Sequence, residues 1–308
     1  MIGGDLVDST KHMDTYLIQI SPWASENIAG VLPKRTLRNV NGKIIAMDKT
    51  GRIFKDKFEK IEPILENMNS KIANYLNIEC ANYELLIEDI EFNGKLHKDV
   101  FISRTYWFLN EDDMLISVED IKHIGRYNDS INKIGIYNTL ISISPESKEQ
   151  LDNIIVFDYL TGGSDRHSEN LGFIRKDANL KMAPLYDNGT CDYINSLYEA
   201  DLYPEDIGFN SVEDIDIDYD NPNFKDIFLK LTGLDLDEHL DDNFNCKFMN
   251  KTHYHTISLV GKPKQIEGKK IEDILNIVNT FNDYIPKIYL EIIKYSLNKR
   301  FNELKRLL

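Results

Sequence analysis

Cysteine is scarce in this chain, with three in 308 residues, at positions 80, 191 and 246. The three are odd in number, far apart and without a C-x-x-C pair, which argues against a disulfide framework or a zinc site. A reducing cytosol is the expected compartment. Long apolar runs are lacking too: no stretch approaches the roughly 18 residues of a membrane helix. The first residues do not show the basic-then-apolar order of a secretion signal. A soluble, cytoplasmic protein with no membrane insertion is therefore expected. Positive charge is short as well, 36 Lys and Arg against 51 Asp and Glu, for a formal net charge of −15. That argues against non-specific nucleic-acid binding by the chain alone. No internal repeat or low-complexity tract stands out.

The apolar fraction of 42% and charged fraction of 28% are ordinary for a globular protein, and the length suffices for one large domain or two lobes. The most informative stretch is Thr161-Gly-Gly-Ser-Asp-Arg-His-Ser-Glu-Asn170, followed by Ala183-Pro-Leu-Tyr-Asp187-Asn-Gly189. An apolar helical run enters it, and short apolar segments separate the two polar loops. The pattern predicts a strand at 171–174, a turn at 176–179 and a second strand, which together bring Asp165, Asn170 and Asp187 close. Such a set suits phosphoryl transfer: one carboxylate orients a hydroxyl, while an amide and a second carboxylate hold magnesium.

The D-R-H-x-x-N run followed by A-P-L-Y-D-N-G resembles the HipA-like serine/threonine kinases, an outlying branch of the protein-kinase fold. Phosphoinositide kinases share D-R-H-x-x-N, but A-P-L-Y-D is closer to the HipA-like form. The resemblance implies an α+β, two-lobed protein-kinase-like fold, ATP and Mg²⁺ as cofactors, and a protein substrate. It gives Asp165 the task of orienting and deprotonating the acceptor, and gives Asn170 and Asp187 the metal. Ile28-Ala-Gly30-x-x-Pro-Lys34 resembles the family's A-G-x-Q-x-K phosphate loop, so Gly30 and Lys34 are expected over the phosphates. Leu32 stands where the family commonly has Gln. Asn27 stands where several members carry an autophosphorylated serine, so self-modification there is not expected. For the lysine that contacts the α- and β-phosphates and the glutamate that steadies it, Lys55 and Glu66 are assigned. Lys57 competes for the first role, Glu62 and Glu59 for the second. His167 is expected to pack behind the loop rather than to carry protons.

The rest of the chain fits the same order. Residues 16–20, 43–47, 52–58, 83–87 and 100–108 read as strands, with turns at 49–51 and at Asn93-Gly94. They supply an antiparallel sheet of about five strands. Residues 63–78 read as a helix, as do 146–160 behind Ser144 as N-cap, 224–231, 271–284 and 286–308. Tyr289, Ile293, Leu297, Phe301, Leu304 and Leu308 form one apolar stripe that reads as core. Residues 111–135 look irregular and contain the expected boundary between an N-lobe at 1–115 and a C-lobe at 116–308. Residues 199–220 hold nine acidic residues and no Lys or Arg, a solvated loop where an activation segment would lie. His253 and His255 share a face on a strand but have no third ligand nearby. Because the phosphate loop begins within the first thirty residues, a short, free-standing family member is expected, outside an antitoxin- and DNA-bound complex. A lipid or small-molecule kinase, a non-catalytic nucleotide-binding module and an AMP transferase are the alternatives.

Overall fold

Alternation of apolar and polar residues builds the first of two units into which the chain divides, Met1–Pro63 with Ala81–Phe108. The second is Ile64–Cys80 with Leu109–Leu308. The computed structural model describes residues 17–23, 32–54, 57–110, 112–163, 166–177, 179–189, 245–246 and 251–308. The acidic segment 199–220 and the expected helix near 224–231 lie outside them.

The first unit begins with β1 (Leu17–Ile20), β2 (Lys34–Asn39) and β3 (Ile44–Thr50), then a small hairpin of β4 (Ile53–Phe54) and β5 (Lys57–Phe58). Helix α1 (Ile61–Tyr75) follows, its first three residues in this unit and the rest in the second, and then β6 (Tyr83–Phe92) and β7 (Lys95–Tyr106) return to the first. The five long strands form one antiparallel sheet in the order β1-β2-β3-β7-β6. Its longest hairpin turns at Asn93 (φ +52°) and Gly94 (φ +74°), between paired Phe92 and Lys95. Two consecutive positive φ values are what a type I′ hairpin needs, and Asn-Gly supplies them at low cost. Ile90, Val100 and Ile102 form a buried cluster backed by Trp23, Phe58 and Leu86. The sheet also buries a charge, Asp48, gripped by Arg35 Nε at 2.7 Å and by Arg104 Nε at 2.7 Å and Nη2 at 3.0 Å. Two guanidinium partners satisfy that carboxylate, so its burial is tolerated.

The turn expected at 49–51 is not there. β3 runs on through Lys49 and Thr50, because β2 and β7 flank it on both sides and Thr50 N–H donates to Pro33 O at 3.1 Å. Glu59 then caps α1, its carboxylate accepting from Ile61 N–H and from Glu62 N–H. An acceptor at this point satisfies amides that have no intrahelical partner.

In the second unit, residues 112–143 are more regular than expected. They form β8 (Met114–Ser117), α2 (Val118–Lys122), α3 (Gly125–Ile134) and α4 (Ile136–Ile143). The start of α2 is a capping box: Ser117 Oγ accepts from Asp120 N–H at 3.0 Å, and Asp120 Oδ2 accepts from Ser117 N–H at 3.0 Å. That S-x-x-D signal was readable. A 3₁₀ turn, Pro145–Ser147, precedes α5 (Lys148–Thr161). Ser144 makes no side-chain cap; its hydroxyl instead donates to Leu180 O at 2.6 Å. Ten of the fourteen residues of α5 are buried, so it is the central helix of the unit rather than a surface one.

β9 (Gly172–Lys176) and β10 (Asn179–Met182) complete a three-stranded antiparallel sheet in the order β10-β9-β8. After a short β11 (Asn245–Cys246) and β12 (Lys251–Thr252) come α6 (His253–Val260), α7 (Ile271–Asn279) and α8 (Lys287–Lys305). His253 and His255 fall on a helix, not a strand, so residues two apart do not share a face there. On α8 the stripe is core as expected, with Tyr289, Ile293, Leu297, Phe301 and Leu304 all at most 2% exposed. Leu308 lies past the helix end and is exposed. Among the described residues no helix is long and apolar enough to cross a membrane.

Candidate active site

The β9–β10 hairpin does what its sequence pattern predicts. Its strands pair Phe173 with Met182 and Lys176 with Asn179, and Asp177 turns at φ +53°. Ala183 N–H donates to Gly172 O at 2.9 Å and closes the open end. The polar loop before β9 and the one after β10 are thereby brought side by side.

Arg166 ties them together. It is 4% exposed, and its guanidinium makes five hydrogen bonds. Nε and Nη2 grip Asp158 on α5, each at 3.0 Å. Nη1 donates to Asn170 O at 2.9 Å and to Tyr186 O at 2.6 Å, and Nη2 to Asn188 Oδ1 at 2.8 Å. One planar fork therefore fixes the end of α5, the loop before β9 and the loop after β10. Burial pushes the Asp158 carboxyl above its ordinary range, with the Arg166 charge pulling the other way. Burial alone would lower the Arg166 pKa, but the Asp158 charge and the hydrogen bonds to it leave the net shift upward. Arg166 is thus a permanent cation, and Asp158 is the anion that offsets it. Gly163 approaches the pair closely: a Cβ there would sit 2.9 Å from Asp158 Oδ1.

Asp187 lies in the left-handed region at φ +55°, uncommon for a residue with a side chain though tolerated by Asp. Its carboxylate and that of Glu66 offer oxygens within 4.8 Å of each other. Glu66 is 1% exposed on α1, and Asn170 is buried on the loop that Arg166 holds. Two neighbouring carboxylates repel when both are ionised, and a hard divalent cation relieves that repulsion. The donor set is all oxygen, with no thiolate, and it fits magnesium. A small cleft beside it is lined by Asp158, Thr161, Gly163, Arg166, Asp187 and Asn188.

The loop before β9 is braced from outside as well. Ser168 Oγ donates to Glu119 Oε2 at 2.6 Å, and Lys122 Nζ lies on both partners. The hydrogen bond from Ser168, then Lys122, holds the Glu119 carboxyl below the usual range. His167 Nδ1 accepts from Glu169 N–H at 3.2 Å, which shapes the loop.

In the first unit, β3 and the first turn of α1 carry a buried ion pair, Lys49 Nζ to Glu62 Oε1 at 3.0 Å, with side chains 7% and 12% exposed. Lys34, 9% exposed, is the register partner of Lys49 on β2. Two buried lysines opposed across a strand pair repel, and an anion beside them relieves that.

Of the residues expected from sequence, Asn170 and Asp187 lie on the two loops that Arg166 joins, Glu66 lies beside Asp187, and Lys34 lies opposite Lys49. Asp165, Gly30 and Lys55 fall outside the described residues. Sequence reading missed Lys49, because a turn was placed there. The signal was the β run from Ile44 that continues through it to Thr50. It also missed Asp158, a lone charge within the apolar run 154–160, and gave no role to Arg166 or Asn188.

Neither a comparison with protein-family models nor one with curated proteins found a match. Among solved structures, the chain resembles the Helicobacter pylori proinflammatory kinase CtkA, with a TM-score of 0.57 and 16% identity over 93% of each chain. HipA of Shewanella oneidensis, solved as a toxin–antitoxin complex with HipB and operator DNA, also matches. There the TM-score is 0.46 and the identity 14%, over 93% of this chain and 67% of that one. The chain is α+β and shares the fold of the Helicobacter kinase.

Proposed function

We propose that the chain is an ATP- and Mg²⁺-dependent kinase of the HipA-like type that phosphorylates serine or threonine hydroxyls on a protein. The observation that carries this reading is the buried Lys49–Glu62 pair. In protein kinases a strand lysine, steadied by a glutamate of the following helix, contacts the nucleotide phosphates. Here the lysine sits on the third strand of a five-stranded antiparallel sheet, and the glutamate lies in the first turn of the helix that follows. Lys49 and Glu62 therefore take the roles that the sequence alone gave to Lys55 and Glu66.

Lys34, opposed to Lys49, adds a second ammonium for phosphate, and Gly30 keeps the phosphate-binding role that the motif gives it. Asp165 orients the acceptor hydroxyl and takes its proton. Asn170 and Asp187 are the metal ligands, with Glu66 as a further carboxylate beside Asp187. Magnesium held by these residues would supply positive charge to offset that of the phosphate oxygens. Arg166 keeps both ligand loops in register before substrate arrives, so no reorganisation is needed during the transfer.

The test is incubation with Mg²⁺ and ATP labelled separately at the γ- and α-positions, with protein, lipid and small-molecule acceptors present. Transfer of γ-label to protein is expected, lost in Asp165→Ala and Asp187→Ala. Lys49→Met should lower transfer by about 100-fold or more, whereas Lys55→Met should change it less than threefold. Incorporation of α-label would mean AMP transfer, and binding without any transfer would mean a nucleotide-holding module.

A further inference from the structure

We propose that Asn69 is a positioning residue for the metal-binding loop, acting through the backbone of Asn188. The inference rests on the reading of Asp187 as a metal ligand. Asn69 is 5% exposed on α1, and its Nδ2 donates to Asn188 O at 2.6 Å. It stands three residues beyond Glu66, so both belong to one face of the helix. The face that presents Glu66 to Asp187 thus also anchors the backbone just after Asp187.

The conformation of Asp187 gives that anchor its significance. A left-handed φ at a residue with a Cβ is strained and persists only when its surroundings impose it. The peptide carbonyl before Asp187, that of Tyr186, is held by Arg166. The carbonyl of the next residue, Asn188, is held by Asn69. The Asn188 side chain is fixed in turn: Oδ1 accepts from Arg166 Nη2, and Nδ2 donates to Cys80 Sγ at 3.5 Å. Asn188 itself is 4% exposed. The backbone is therefore pinned on both sides of Asp187, at the peptide before it from the loop before β9, and at the Asn188–Gly189 peptide, one further along, from α1. Without Asn69 the second pin is gone. The backbone can then relax toward negative φ, which turns the Asp187 carboxylate away from Glu66.

Residues that orient a metal ligand without touching the metal typically change affinity by about 10–100-fold when removed. The experiment is a MgCl₂ titration at a fixed concentration of a non-hydrolysable ATP analogue, read as the upward shift in thermal midpoint. Wild type, Asn69→Leu, Asn69→Ser and Asp187→Ala are compared, and analogue affinity is also measured in EDTA. Asn69→Leu and Asn69→Ser are expected to need about tenfold more Mg²⁺ for half of the shift, with analogue affinity in EDTA unchanged. Amide hydrogen exchange at residues 187–189 should quicken in the same variants, without metal present.

A variant that keeps the wild-type Mg²⁺ midpoint and exchange rates overturns the proposal. So does a parallel loss of Mg²⁺ response and of EDTA affinity, which marks a general structural role, and so does failure of both variants to fold. A wild type with no Mg²⁺-dependent shift, or an Asp187→Ala variant that keeps it, instead overturns the metal-site reading beneath.

Discussion

Arg166 has more partners than any side chain near it, and its removal should be felt as stability before it is felt as chemistry. Arg166→Ala leaves the Asp158 carboxylate buried without its counter-ion, a change that typically costs about 3–5 kcal/mol. Urea unfolding followed by circular dichroism should show a midpoint lowered accordingly. Arg166→Lys should recover little, because a single ammonium cannot reach Asp158 and two carbonyls in one plane. A milder dependence follows from Glu119, whose carboxyl Ser168 and Lys122 hold below the ordinary range. Its folded-state pKa is depressed, so its contribution is complete above the unfolded value and is lost as pH falls through the folded one. Wild type should lose more stability than Glu119→Gln as pH drops from about 6 to about 3. Equal slopes in the two unfolding series would show that the bond is worth nothing. None of this was legible in the one-letter code: D-R-H marks Arg166 as part of a motif, but not which acid eight residues earlier it would meet.

Elements were more readable than contacts. Asn93-Gly94, the β9–β10 hairpin and the stripe on α8 follow from local pattern, because turn chemistry and side-chain periodicity act over a few residues. The errors occurred where a neighbour overrode local preference. β3 continues through Lys49 and Thr50, which with Gly51 read as a turn, because β2 and β7 pair with it on both sides. The polar stretch 112–134 became a strand and two helices because β8 has β9 to pair with. At the close of α5, local pattern and packing agree. Gly163 runs against Asp158, and Gly163→Ala forces a Cβ to within 2.9 Å of a carboxylate oxygen that Arg166 prevents from moving. A loss of about 1–3 kcal/mol is expected in thermal or urea unfolding. Gly163→Ala should also weaken the Asp158–Arg166 grip, so its effect and that of Arg166→Ala should be less than additive in a double-mutant cycle.

For the molecule as a whole, composition gives a firm expectation. With a net charge of −15, the chain alone should not retard random-sequence duplex DNA at about 0.15 M salt, since such binding depends on neutralising phosphates. A salt-sensitive retarded band would mean that a basic surface outweighs the balance. Sequence by itself determined the β9–β10 hairpin and the order of the two loop motifs that flank it, because these are local features that one chain segment specifies. Its strand list for the sheet-bearing unit lacked β2 (Lys34–Asn39) and counted 52–58, which forms a separate hairpin, as part of the sheet. Only the tertiary structure decided that Lys49 meets Glu62 and that Glu66 lies beside Asp187. Those choices depend on strand register and on the face of α1 that is buried, and both are settled by packing between segments far apart in the chain. The grip of Arg166 on Asp158, Asn170, Tyr186 and Asn188 is of the same kind. Its partners become neighbours only once α5 and the β9–β10 hairpin have folded against each other.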